Sequence, residues 1–212
     1  MTAIAIHIMT VRNMNIIDTK MNGKIKVRTA TSGDAQALLD IYAYYVEHTT
    51  LTFEYEVPSL EEFQSRITHI LKHYPYLVAE LDNEIIGYAY AGRFQLRAAY
   101  AWNAEMTIYL KQNMRRRGVG RKLYSLLEEI LKAQGVVKTI AVITLPIDGY
   151  SDFNSMQFHE RMGYHLAGRM DYCGYKFGNW YTTICMDKMI GIPEEKMYDV
   201  KDFEDVRGKF GI

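Results

Sequence analysis

Apolar and polar positions recur along this chain with two periods, and the changes between them mark its elements. Ile25 to Ala30 reads as a short strand, and Thr31 or Ser32 can cap a following helix whose apolar positions Leu38, Ile41, Tyr42, Tyr45 and Val46 fall at helical spacing. Ser59 with Glu62 three residues later is a capping-box pattern, opening a second helix through Phe63, Ile67, Ile70 and Leu71 that stops before Pro75. The period then shortens to that of strands. Tyr76 to Leu81, a turn at Asp82-Asn83, and Glu84 to Ala91 make a predicted hairpin, in which Gly87 marks a bulge or a close-packed position. Ala101 to Leu110 follows as another strand, where Ala104, Met106, Ile108 and Leu110 alternate with Glu105, Thr107 and Tyr109. Glu105 therefore shares a face with Thr107 and Tyr109.

Leu123, Leu126, Leu127, Ile130 and Leu131 form the clearest one-sided apolar stripe in the chain, a helix ending near Gly135. Thr139 to Leu145 has the β-branched character of a strand buried on both faces, and Asn154 to Met162 is a short helix closed by Gly163. Tyr164 to Tyr172 and Tyr181 to Met189 supply two last strands. The order β, α, α, three meandering strands, α, β, α, β, β is that of an α+β or mixed α/β domain with one central sheet. Residues 24–190 are expected to hold this domain, with 1–23 a ragged extension and the charged segment 191–212 either a terminal helix or a flexible tail. Arg12, Asp18 and Lys20 interrupt the apolar amino terminus without a small-residue cleavage site, and no run of about 18 apolar residues exists; neither a leader peptide nor a spanning helix is expected.

Composition changes this picture in two places. The 25 basic and 25 acidic residues cancel, so no global field is available to hold nucleic acid or an anionic membrane. Cys173 and Cys185 stand in neither a CxxC nor a Cys/His metal spacing, which predicts reduced cytoplasmic thiols and no metal centre. His69 and His73 lie one helical turn apart but lack a third ligand, and read as a surface pair. Yet neutrality is not uniform. Lys111, Arg115, Arg116, Arg117, Arg121 and Lys122 place six bases in twelve residues with no acid among them.

That basic window, with Gly118 and Gly120, sits between a strand and the strongest helix as Arg115-Arg116-Arg117-Gly118-Val119-Gly120. A helix amino terminus exposes unpaired N–H groups and a partial positive charge, glycines allow close approach, and the site binds anions. The spacing is neither that of a Walker A loop nor that of a dinucleotide fingerprint. Together with Asn154-Ser155-Met156-Gln157-Phe158-His159-Glu160-Arg161-Met162-Gly163-Tyr164 it resembles the GNAT superfamily of N-acetyltransferases. Tyr74 to Glu80, Gly87 to Gly92, Arg97 to Trp102 with Glu105, and Gly174 to Trp180 are similar to its phosphinothricin N-acetyltransferase group, a likeness covering about Lys26 to Met189.

The resemblance implies a single domain with a mostly antiparallel, partly splayed sheet flanked by helices, acetyl-CoA as co-substrate, and a homodimer. It implies that Arg115, Arg116, Arg117, Gly118, Val119, Gly120 and Arg121 cradle the CoA pyrophosphate and that the backbone of Ile108, Tyr109 and Leu110 pairs with the pantetheine arm. Asn154 matches an asparagine on the cofactor side, Glu105 the group's general base, and Arg97 and Tyr100 its substrate-pocket positions. His159 matches a histidine of the group, read either as a proton-transfer residue or as a structural one. Amine acetylation needs a neutral amine, a polarised thioester carbonyl and a route for the amine proton, and a positioned carboxylate or imidazole helps with the proton. The implied acceptor is a small amino-acid-like amine of the phosphinothricin, methionine sulfoximine or methionine sulfone type. The alternatives are acetylation of a protein amino terminus or lysine, and an acyl-CoA-binding module without turnover. The segment Ile147 to Phe153 is longer than its counterpart in the group, and flanks the expected active site.

Overall fold

A computed structural model describes residues 23–146 and 154–212; most of the expected extension 1–23 and the long segment Ile147 to Phe153 lie outside the described residues. Among the described residues seven strands form one sheet in the order β1-β2-β3-β4-β5-β7-β6. They are β1 (Lys26–Thr29), β2 (Tyr76–Leu81), β3 (Glu84–Arg93), β4 (Asn103–Leu110), β5 (Lys138–Thr144), β6 (His165–Lys176) and β7 (Asn179–Met189). Every neighbouring pair is antiparallel except β4 with β5. The helices are α1 (Ala35–His48), α2 (Leu60–Leu71), α3 (Val119–Gln134), α4 (Asn154–Arg161) and the short α5 (Phe203–Arg207).

Strand alternation divides the core into two layers, because successive side chains point to opposite faces. Leu77, Ala79, Ala104 and Met106 pack beneath α3 with Leu123, Leu127 and Ile130. Tyr76, Val78, Tyr88 and Tyr109 pack beneath α1 and α2 with Leu38, Tyr42, Tyr45 and Ile67. Glu105 and Thr107, two and one alternations before Tyr109, therefore face the α1 and α2 side.

Local signals were followed closely. Ser59 accepts the Glu62 N–H at 3.1 Å and caps α2, and Gly135 ends α3 in the left-handed region at φ 99°. Thr31 and Asp34 form a capping box around a single 3₁₀ turn, so α1 proper begins at Ala35, later than its expected cap. Gly87 is a close-packed position: a Cβ there would lie 2.4 Å from Leu110 Cδ2 and 3.0 Å from the Tyr109 carbonyl oxygen.

Two expectations need correction, and of the two readings of segment 191–212 the terminal helix is the one seen, as α5. β5 is not buried on both faces, since Val142 is 44% exposed where the sheet opens beyond β4. β6 continues past Tyr172 to Lys176 and β7 starts at Asn179, because the pairing is shifted between Met170 and Gly174 and then resumes from Gly174 with Tyr181 to Lys176 with Asn179. The final segment is not a free tail. Phe203 and Val206 enter the core beneath α3, and the Gln134 side chain donates to the carbonyls of His73 and Lys201 at 2.8 and 2.7 Å. Gly87→Ala is expected to lower stability by about 1–3 kcal/mol through overpacking between β3 and β4, read from the midpoint of urea unfolding.

Candidate active site

β4 and β5 pair only from Asn103 with Lys138 to Glu105 with Ile140, and then separate. The Lys111 N–H donates to the Ile86 carbonyl at 2.9 Å, which sets the hydrogen-bonding phase between β4 and β3. By alternation the peptide groups of Tyr109 and Thr107 face β3, and those of Met106, Ile108 and Leu110 face the gap. Two phenols bracket that gap. Tyr45 donates to the Leu110 carbonyl at 2.6 Å and accepts its N–H at 3.3 Å, and the Tyr124 oxygen lies 3.3 Å from the Met106 carbonyl. Of the three expected backbone contacts, Ile108 and Leu110 thus face the gap while Tyr109 is turned away. The Tyr109 ring is buried against Tyr42 and Tyr45, with centroids 5.1 and 4.9 Å apart.

Beyond β4 the chain makes a 3₁₀ turn over Gln112–Met114, anchored by the buried Met114 side chain, before α3 begins. Arg116 and Gly118 take positive φ, 61° and 80°, the alternation of hand from which anion-binding nests are built. The Lys122 N–H makes the first closed bond of α3, to Gly118, so the N–H groups of Val119, Gly120 and Arg121 precede it. A Cβ on Gly120 would sit 3.2 Å from the Phe158 ring and 3.4 Å from Ile108, so glycine lets α3 start close against the sheet and α4. A cleft of about 1020 Å³ lies here, lined by Ile108, Leu110, Arg115, Arg116, Gly118, Val119, Gly120 and Arg121. Arg117 is exposed and does not line it. The opposite wall, from Tyr44 and Tyr45 through His48 to Leu51, was missed by sequence reasoning. Nothing in the periodicity of α1 marks its carboxyl end as a ligand wall.

Glu105 sits where β4 and β5 part. It is half-buried, burial raises its pKa above the ordinary glutamate value, and among the described residues no cation pairs with it. On the same face a smaller cavity of about 290 Å³ is lined by Tyr42, Tyr76, Tyr88, Tyr90 and Tyr109 with Glu54 and Arg66. Arg66 Nη1 bonds Glu54 Oε1 at 2.6 Å, so this cavity carries a compensated ion pair.

His159 is 3% exposed and does not line the cleft. Its Nδ1 lies 2.7 Å from the Ser155 carbonyl, which only accepts, so Nδ1 carries the proton and Nε2 accepts from the Tyr124 phenol at 3.0 Å. Burial lowers its pKa to about 4, leaving the ring neutral at pH 7. Phe158 and Ser155 of the same helix line the cleft instead, and Asn154 opens that helix. Arg97 and Tyr100 stand on the exposed connection between β3 and β4, with the Tyr100 ring edge-on to Phe94 at 6.0 Å, and line neither cavity. Among the described residues no group of three His, Cys, Asp or Glu side chains is arranged to hold a metal, and no helix is long and apolar enough to cross a membrane.

Residues 27–185 match the family described as Acetyltransferase (GNAT) domain. The chain belongs to the GNAT acetyltransferase family. The phosphinothricin N-acetyltransferase of Streptomyces viridochromogenes is 36% identical over 159 residues, covering 75% of this chain and 84% of that protein. The L-methionine sulfoximine/L-methionine sulfone acetyltransferase of Pseudomonas aeruginosa is 30% identical over 162 residues, 76% of this chain and 91% of its own. A GNAT phosphinothricin acetyltransferase from Sinorhizobium meliloti, solved in complex with AcCoA, superposes with a TM-score of 0.75 at 33% identity, covering 84% of this chain and 98% of that one. This GNAT enzyme is accordingly an acetyl-CoA-dependent acyltransferase with the mixed α/β architecture of its family. Arg116→Ala and Arg121→Ala are each expected to weaken acetyl-CoA binding about tenfold, the loss of one charge-assisted contact, and to flatten its salt dependence in calorimetric titrations.

Proposed function

We propose that this enzyme acetylates the primary amine of a small amino-acid-like molecule, of the phosphinothricin, methionine sulfoximine or methionine sulfone type, by direct attack within a ternary complex. The observation that carries the reading is Glu105, a half-buried carboxylate with no cationic partner among the described residues, at the point where β4 and β5 part. Acetyl-CoA supplies the activated acetyl thioester. The Arg115, Arg116 and Arg121 side chains and the first N–H groups of α3 hold its pyrophosphate, with Arg117 at the rim and Asn154 on the cofactor side. The peptide groups of Ile108 and Leu110 face the pantetheine arm.

Glu105 takes the proton from the attacking amine. Burial raises its pKa above the ordinary glutamate value, which makes the carboxylate a stronger base. The neutral His159 ring is assigned a positioning role, holding the Tyr124 phenol at the wall of the gap beside Met106. Arg97 and Tyr100 are assigned to the acidic group of the acceptor, where a guanidinium clamps a carboxylate or phosphinate and a phenol orients it.

The enzyme is placed in the cytoplasm, in keeping with its two free cysteines, and is read as a homodimer. Tyr172, Phe177 and Trp180 are 75%, 53% and 58% exposed on and beside the edge strand β6, an apolar margin that a second copy would cover. Light scattering is expected to give about twice the protomer mass of 24.6 kDa, and Tyr172→Glu with Trp180→Glu to return it to one. A protomer mass for the unaltered protein would refute the dimer.

Thiol release over a panel of amines, including phosphinothricin, methionine sulfone and an amino-terminal peptide, tests the acceptor class. Activity confined to the peptide would overturn it. Glu105→Gln is expected to lower kcat about 10²–10⁴-fold. In the unaltered enzyme kcat/KM should fall on acidification with a limb above the ordinary carboxylate range, because the base works only when deprotonated and burial raises its pKa. Glu105→Gln should lack that limb; an unchanged profile removes Glu105 as the base.

A further inference from the structure

Lys176, the last residue of β6, is 1% exposed and the one fully buried lysine among the described residues. No carboxylate lies within ion-pair distance of it there. Its ammonium instead donates to three backbone carbonyls, Val46 at 2.6 Å, Thr49 at 3.0 Å and Thr52 at 2.9 Å, which matches three N–H groups to three acceptors. Val46 belongs to the last turn of α1, whose carbonyls have no helical partner and carry the negative end of the helix dipole. A cation there satisfies groups that would otherwise be buried unpaired. Burial draws the Lys176 pKa below the ordinary lysine value, and the nearby Glu54 opposes that shift.

Two more contacts join the same strand to the same connector between α1 and α2. A Cβ on Gly174 would lie 2.2 Å from the Phe53 ring, so glycine alone admits that ring against β6. The Tyr55 phenol donates to the Tyr175 carbonyl at 2.6 Å. Three successive residues, Gly174, Tyr175 and Lys176, thus grip residues 46–55. That connector is a wall common to both cavities, since Thr49, Thr50 and Leu51 line the cofactor cleft and Glu54 lines the tyrosine cavity.

We propose that Lys176 is a positioning residue: by drawing the carbonyls of Val46, Thr49 and Thr52 to one point, it shapes the connector so that the cofactor cleft and the tyrosine cavity, on the face of Glu105 where the amine would sit, form together. The inference rests on the cleft being the acetyl-CoA site. Lys176 touches neither substrate and acts through Thr49 to Glu54. A role in folding alone predicts lost stability, whereas a positioning role predicts lost binding in molecules that remain folded.

Lys176→Met removes all three donors, and Lys176→Gln keeps two N–H groups. Val206→Ala, in the core beneath α3, serves as a control that lowers stability away from the connector. Acetyl-CoA affinity by calorimetry and KM and kcat for the amine, each corrected for the folded fraction, are compared among them. Lys176→Met should weaken acetyl-CoA binding and raise the amine KM about tenfold each, with kcat changed by less than about threefold, and Lys176→Gln should fall between. Where Lys176→Met does not fold, the partial defect of Lys176→Gln carries the test. Constants equal to those of the unaltered enzyme, or a stability loss without binding loss as in Val206→Ala, overturn the proposal. Failure of the unaltered enzyme to bind acetyl-CoA would instead remove the cleft assignment on which it rests.

Discussion

Parallel strands that remain paired consume each other's backbone groups, and β4 and β5 do so for only three residues, Asn103 to Glu105. Among the described residues the outer edge of β4 has no strand beside it from Met106 onward, and unpaired peptide groups in a protein interior are costly. The fold meets part of that cost with side chains rather than with a strand: the Tyr45 phenol from α1 bonds both peptide groups of Leu110, and the one proton of Tyr124 on α3 lies between the Met106 carbonyl and His159 Nε2. Both are anchored on elements that pack on opposite faces of the sheet, so the gap is held open from both sides. The cleft, the position of Glu105 where the two strands part and the close approach of α3 through Gly120 all follow from that separation.

Buried polar groups elsewhere obey the same rule. His159 loses its charge in the core and keeps both nitrogens bonded, one to its own helix and one to Tyr124. Lys176 loses its water and regains three acceptors at the end of α1. In each case the polar side chain joins two elements that apolar packing would leave free to slide. Hydrophobic burial brings α1, α3 and the hairpin of β6 and β7 to the sheet, and these bonds fix their register at the site.

Periodicity made the element order legible, because the stripe of α3, the capping box of α2 and the alternation of β4 are local signals that tertiary packing did not override. The same alternation placed Glu105 on the face of Thr107 and Tyr109 before any contact was known. What could not be read depended on distant pairing. The phase of β4 against β3 turns the Tyr109 peptide from the gap, and it is set by Lys111 and Ile86, 25 residues apart in the sequence. The exposure of Val142 depends on β4 departing, and the wall from His48 to Leu51 on a lysine more than 120 residues away. The need for glycine at position 174 was likewise hidden, because the ring that requires it, Phe53, lies about as far off.

Charge along α3 runs against what helix stability alone favours. Six bases gather about its amino terminus, where the macrodipole is positive and each added cation is unfavourable by about 0.3–1 kcal/mol at a surface site. The acids Asp202, Glu204 and Asp205 lie beyond its carboxyl end, held there through Gln134 and Lys201, again at the less favourable pole. Sixteen residues of helix span roughly 24 Å, some three Debye lengths at physiological salt, so these acids do little to relieve the bases. The neutral sum thus conceals a strongly basic helix end, where Lys111 pairs with Glu84 and the acids beyond the far end of α3 lie out of reach. A bound pyrophosphate would remove that repulsion while satisfying the free N–H groups, so the same arrangement that costs local stability in the free chain adds to the affinity for a small polyanion.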